Sequence, residues 1–270
     1  MSSETEQGAS SRPSAGNRGL TSRPSGPLPG KHSNDKAILA ARGALPEVEP
    51  FGKVLGRVVK GSRVDYAAVV MERATIDEFL AGVAKADLSK VDAHAKLAFY
   101  INAYNAKTLA LVVEHVLGRG KGGADLAGVL EVKKAKGFDF FKEKTVIVGG
   151  DLLSLDELEG RGRKLGDPRI HFAVNCASVS CPALLNRAWK PETLDADLTT
   201  ATKTYLASEH GSRIIDGLLH VTKLFEWYVQ DWGSKENVRS FLQHYAPDRA
   251  KDFLDRSWGY LDYDWNLNRS

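Results

Sequence analysis

The longest regular pattern of apolar and polar positions runs between residues 89 and 118. Leu97, Ile101, Tyr104, Thr108, Leu111 and Val112 recur at steps of three and four, the spacing of one face of an α-helix. Ser89-Lys90-Val91-Asp92 supplies a start, and the Gly/Lys-rich stretch from 118 to 123 reads as the loop that follows. Upstream, Thr75-Ile76-Asp77-Glu78 has the form of a capping box, in which a hydroxyl and a carboxylate each satisfy a free N–H at a helix start. With Leu80, Val83 and Ala84 it predicts a helix to about residue 86. Ser154-Leu155-Asp156-Glu157 repeats that signature and predicts a helix to about residue 163. Further helices are expected over 191–206, where an early proline loses no hydrogen bond, and over about 223–231 and 235–245.

Strand signals are fewer. Thr145-Val146-Ile147-Val148 reads as a short strand stopped by Gly149-Gly150. Residues 169–174 (RIHFAV) are apolar enough for a central strand. Arg213-Ile214-Ile215 and Leu218-Leu219-His220-Val221 flank Asp216-Gly217, a strong hairpin signal. Residues 260–265 alternate and suggest a last strand. Helices gathered before and between a few strands point to a helix-rich α+β domain on a small, largely antiparallel or mixed sheet. A doubly wound sheet would alternate strand and helix throughout.

Residues 1–36 are rich in Ser, Gly, Pro and Arg and lack large apolar side chains, so they are expected to be a disordered arm. Residues 37–63 are expected as an extension and 64–268 as a single α+β domain. About 220 residues beyond the arm can bury a core without a metal or disulfide. The net charge of +3 is small, and no dense Lys/Arg run is interleaved with aromatics, so no nucleic-acid partner is expected. Lys133, Lys134 and Lys136 read as a solvated patch. No run of about 18 apolar residues predicts a membrane span. The first 30 residues lack an apolar core behind positive charge, which predicts a cytoplasmic protein as the chain is written, or an envelope or secreted one if the true start differs. In a reducing cytoplasm the two cysteines would both be thiols.

Chemistry concentrates in His171-Phe172-Ala173-Val174-Asn175-Cys176-Ala177-Ser178-Val179-Ser180-Cys181-Pro182. A thiolate needs a cation, a base or free N–H groups nearby, and small residues let the backbone wrap close to Cys176. Cys176, His171 and Cys181 are therefore the candidate catalytic set, with Asn175, Ser178 and Ser180 beside them. On a strand, His171 would share a face with Asn175 but not with Cys176, which weakens a direct dyad. Other readings stay open: two small core residues, a Cys176–Cys181 disulfide, or a metal site, for which the spacing is poor. Asn102 and Asn105 are neighbours on one helix face and either tie that helix to a loop or wall a pocket. Asp262 and Asp264 would share a strand face, from which either could orient His171. Glu159, with Arg161 and Arg163, reads as a solvated helix end, and stands beside the asparagines, serines and aspartates above as a candidate pocket or orienting residue. No cofactor is indicated.

Several stretches, in this order, resemble the family called domain of unknown function 547: Val64-Asp65-Tyr66, 97–109 (LAFYINAYNAKTL), Val148-Gly149-Gly150, 167–182 (DPRIHFAVNCASVSCP), 225–228 (FEWY) and 261–268 (LDYDWNLN). The resemblance implies a globular domain without naming a general activity, and its members often look exported or envelope-bound. This chain departs from the pattern at Glu159-Gly160, where the family commonly has Glu-His. Three functions follow from the residues. The first is a thiol-dependent hydrolase or acyl transferase with Cys176 as nucleophile and His171 as base. The second is a non-catalytic module binding a small molecule or protein, and the third a thiol redox role.

Overall fold

The computed structural model describes residues 45–117, 125–250 and 257–270; the arm at 1–36, the start of the extension and the loop at 118–123 lie outside the described residues. Its centre is the helix Ala93–Leu111, capped by Asp92, whose side chain accepts the Ala95 N–H at 2.9 Å. The predicted stripe is only part of what this helix buries. Ala98, Phe99, Ala103, Ala106 and Ala110 are buried as well, so the helix is enclosed on all sides. A π-helical turn, Val112–Val116, continues it.

The helices Arg73–Ala84 and Leu155–Arg163 pack against this centre. At the second, both halves of the predicted capping box form: Ser154 Oγ accepts the Glu157 N–H at 3.1 Å, and Glu157 Oε2 accepts the Ser154 N–H at 2.8 Å. The box predicted at Thr75 does not form, because Thr75 lies inside the Arg73–Ala84 helix. The preceding helix, Tyr66–Met71, is capped by Asp65 and separated from this one by Glu72 alone, which leaves no extended cap position at Thr75. Within the expected extension, Glu49–Val58 is a helix that sends Phe51, Val54, Leu55 and Val58 into the core.

The strands form three small sheets: β1 (Val59–Lys60) with β2 (Arg63–Val64), β3 (Val146–Val148) with β4 (Asp151–Leu153), and β5 (Ser212–Ile215), β6 (Leu218–Val221) and β7 (Gly259–Tyr260). Pairing is antiparallel except that β7 runs parallel to β6. The β5–β6 hairpin turns where the sequence predicted, on Asp216 at φ 51° and Gly217 at φ 73°. The strand predicted at 145–148 is the first half of a hairpin closed by Gly149-Gly150. The class is helix-rich α+β, as expected.

The predicted central strand at 169–174 is not a strand. Pro168–Phe172 is a 3-10 helix whose start is capped by Asp167, accepting the Arg169 N–H at 3.0 Å. A short apolar run fits a buried strand or a buried turn equally, and the Asp-Pro start decides for the turn. The helix expected at 191–206 runs Leu194–Ala207, that at 223–231 is two short pieces, Leu224–Trp227 and Val229–Trp232, and Lys235–Tyr245 forms as expected. Only Gly259–Tyr260 of the predicted last strand region is sheet. Beyond it the chain returns through single bridges, Ser178 to Leu267, Gly128 to Asn266 and Val64 to Arg269.

Two apolar clusters result. Ile170 and Ala173 belong to the larger, around the central helix; Phe172 belongs to the smaller, with Tyr205, Phe225, Trp232 and Leu242. The 3-10 helix therefore sits where the two meet.

Two glycines of the Leu155–Arg163 helix make opposite demands. A Cβ on Gly160 would meet nothing within 4 Å, whereas one on Gly162 would stand 2.5 Å from Ile170 Cδ1 and 3.4 Å from Tyr100 Cβ. Gly160→Ala should stabilise the fold by about 0.5–1 kcal/mol through reduced chain entropy. Gly162→Ala should destabilise it by about 1–2 kcal/mol through overpacking. Urea unfolding midpoints of the two variants would check both signs.

Candidate functional site

The 3-10 helix delivers His171 into the junction, 2% exposed. Its Nε2 lies 2.7 Å from Asp231 Oδ2 on the helix Val229–Trp232. Arg163, from the end of the Leu155–Arg163 helix, grips the same carboxylate with two hydrogen bonds, at 2.6 and 3.0 Å. The Arg163 guanidinium stands 4.6 Å over the Tyr228 ring, and the imidazole stacks on Tyr228 at 4.2 Å and on Trp232 at 5.3 Å. Three separate elements are thus joined through one carboxylate. Burial pushes the Asp231 carboxyl up, but the hydrogen bonds from His171 and Arg163 outweigh it and hold the group below the ordinary aspartate value of 3.8. An ionised carboxylate only accepts, so the ring nitrogen that faces it, Nε2, donates, and Nδ1 is the other nitrogen of the ring.

That nitrogen faces a second carboxylate. Glu159 Oε1 is 3.9 Å from His171 Nδ1, beyond hydrogen-bonding distance, and Glu159 is 6% exposed. No hydrogen bond reaches the Glu159 side chain from any described residue. Glu159 was expected either as a solvated helix end together with Arg161 and Arg163 or as a pocket or orienting residue. Of the three, only Arg161 behaves so, in an outer pair with Asp151.

Both groups open onto a cavity of about 160 Å³. Trp227, Tyr263 and Trp265 form one wall, with ring centroids 4.7–5.7 Å apart, and Tyr104, Phe141 and Tyr228 are among the other lining residues. Cys176 and Cys181 line it too. Both were expected as thiols; the structure joins them in a disulfide, with Cα atoms 6.2 Å apart. Neither sulfur is hydrogen-bonded to His171, so the expected Cys/His dyad is not assembled. The sulfurs instead meet Tyr263 OH and Ser178 Oγ, and Cys181 Sγ also accepts the Cys176 N–H at 3.0 Å.

The remaining polar candidates hold the loop. Asn105 Nδ2 donates to Ala173 O at 3.0 Å, and its Oδ1 accepts the Asn175 N–H at 2.9 Å. Asn175 in turn donates to Pro182 O and accepts from the Ala177 N–H and Asn268 Nδ2. Asn102 clamps Trp189 in the same two-handed way, at 2.8 and 2.9 Å. Ser178 is bridged to Leu267, and Ser180 Oγ accepts the Asp264 N–H at 2.9 Å. Asp262 and Asp264 are exposed, and neither reaches His171. Asp231 performs the orienting role expected of them. Sequence reasoning missed Asp231 and Arg163, which nothing in their local pattern marks. The aromatic wall was within reach, since FEWY and LDYDWNLN carry Trp227, Tyr228, Tyr263 and Trp265.

Residues 88–206 match the family described as "Protein of unknown function, DUF547". The match takes in the central helix, Glu159, His171 and the disulfide loop, whereas Asp231, Trp227, Tyr263 and Trp265 follow it. Comparison with curated proteins and with solved structures finds no match in either. No helix among the described residues is long and apolar enough to cross a membrane, and no group of three or more His, Cys, Asp or Glu among them could hold a metal ion.

Two variants test this framework. Asn105→Leu leaves the Ala173 carbonyl and the Asn175 N–H buried without partners and should cost at least about 3 kcal/mol in chemical denaturation. Because the folded-state pKa of Asp231 is depressed, its contribution is complete above the unfolded value near 3.8 and is lost as pH falls below it. Asp231→Asn should be about 2 kcal/mol less stable than the parent at pH 7, and the gap should narrow as unfolding is followed down to pH 3.

Proposed function

We propose that the cavity binds a compact organic amine, about one ring in size, with an N–H donor on Glu159 and its carbon face on the Trp227–Tyr263–Trp265 wall. The observation that carries this reading is the Glu159 carboxylate, nine-tenths buried, open to the cavity and without a hydrogen-bond donor. A carboxylate withdrawn from water calls for donors, and the nearby His171 Nδ1 stands 3.9 Å away, beyond hydrogen-bonding distance. The Glu159 carboxylate is therefore a seat for a ligand that brings the protons. Aromatic faces around that seat add attraction for a cation. The volume of about 160 Å³ compares with the roughly 150 Å³ of an apolar cavity that accommodates benzene.

A thiol-dependent hydrolase or acyl transferase would need a free sulfur beside a base. With the sulfurs joined and the imidazole committed to Asp231, the binding module is favoured over it. The same bond favours an oxidising compartment over the cytoplasm.

Benzylamine is a suitable probe, read by the fluorescence of the wall tryptophans and by amide chemical shifts. It should bind saturably, with Kd of about 1 mM. Glu159→Gln should weaken binding about tenfold or more, and benzoate should not compete. Benzoate binding as tightly as benzylamine, or an unchanged affinity in Glu159→Gln, would overturn the proposal.

A further inference from the structure

We infer that Cys176–Cys181 is a thiol–disulfide exchange centre, in which an incoming thiolate attacks Cys176 and Cys181 departs as the thiolate. This inference does not rest on the amine reading and uses none of the Glu159 or His171 chemistry.

Access separates the two sulfurs. Cys176 is half-buried and lines the cavity, whereas Cys181 is 6% exposed. An attacking thiolate must reach the sulfur with which it bonds, so Cys176 is the one offered. Hydrogen bonding separates them in the complementary sense. Cys181 Sγ has three donors within reach: the Cys176 N–H at 3.0 Å, which only it receives, and Tyr263 OH at 3.2 Å and Ser178 Oγ at 3.4 Å, which also stand 3.4 and 3.3 Å from Cys176 Sγ. A sulfur in a disulfide is a weak acceptor and gains little from such a cradle. A thiolate gains far more, because a hydrogen bond to an ion is stronger than one to a neutral group. The cradle is therefore complementary to the species that appears when the S–S bond breaks, and a stabilised leaving thiolate leaves faster. The backbone adds a third sign. Ala177, a non-glycine residue, is held at φ 65° by its N–H bond to Asn175 Oδ1 at 2.8 Å, and strain of this kind gathers at sites that use it.

The reductant is a dithiol, small or carried on a protein. Its first thiolate forms a bond to Cys176 Sγ, and the electron pair of the Cys176–Cys181 bond leaves on Cys181 Sγ. Its second thiolate attacks its own first sulfur in the mixed disulfide, closes a disulfide on the reductant and expels Cys176 as thiolate. Two electrons pass from reductant to protein, and the two new thiolates take protons from solvent according to pH. Oxidation runs the same steps backwards.

The test treats the folded, full-length chain with dithiothreitol, quenches in acid, alkylates and counts modified cysteines by mass. The parent should open without denaturant and reclose on removal of the reductant. In Cys181→Ser, oxidised glutathione should be captured on Cys176. In Cys176→Ser, Cys181 should stay unmodified until the chain is unfolded. Tyr263→Phe should slow opening about tenfold, the effect of removing one hydrogen bond to an ion. Opening is read by mass with no amine present, so this result and failure of the amine proposal are distinguishable. Resistance to dithiothreitol until denaturant is added, preferential capture on Cys181, or an unchanged rate in Tyr263→Phe would each overturn the inference.

Discussion

The amide of Asn105 is the interaction on which the site depends. The segment after the 3-10 helix has no sheet to supply partners for its backbone, yet it is buried against the central helix. A buried peptide group without a partner costs as much as a lost hydrogen bond, so such a segment is stable only where side chains stand in for a neighbouring strand. Asn105 does so with both ends of one amide, joining the Ala173 carbonyl and the Asn175 N–H to a rigid helix. Asn175 carries the connection onward to Pro182, Ala177 and Asn268. The disulfide loop, the 3-10 helix and the returning chain end are thus positioned from one helical turn.

Charge is arranged around this scaffold by contrast. Arg169 and Asp167, both nearly fully buried, satisfy each other, and Arg169 reaches further to Asp195 and Thr199. Arg163 and Asp231 do the same at the junction, with His171 as third member. Removing one partner from such a set leaves a buried ion uncompensated, which makes these groups structural as well as orienting. Glu159 alone among the site's charges is left facing open space. The difference between a satisfied network and one exposed member is what marks the cavity as a place for something else to sit.

What the sequence disclosed follows from how local each signal is. The Ser154 box and the Asp216-Gly217 turn form as expected, because their hydrogen bonds and dihedrals are settled within four residues. The strand expected at 169–174 became a 3-10 helix because apolar runs of that length carry no period, and a cap at Asp167 outweighed them. At Thr75 the right letters stood in the middle of a helix, where a capping box has nothing to cap. Asn102 and Asn105 were legible as a helix-to-loop tie, since two amides on a buried face must bond something. Asp231 was not legible: its partners lie 60 and 68 residues away, and acidic residues nearer the chain end looked equally suitable. The Cys176–Cys181 bond was visible only as one of several open readings, because spacing alone does not report redox state.

The returning chain end has a consequence for the order of events in folding. Tyr263 and Trp265 stand between β7 and the bridges at Asn266, Leu267 and Arg269, while Asn268 accepts a hydrogen bond from Tyr66, 202 residues earlier. Contacts of such separation close late, because the intervening chain must first be ordered. During synthesis the 3-10 helix, the central helix and the cysteine loop leave the ribosome well before the residues that wall them in. For that interval the cysteines lie open to whatever oxidant the compartment offers, and the cavity acquires its last side only when the tail is laid across it.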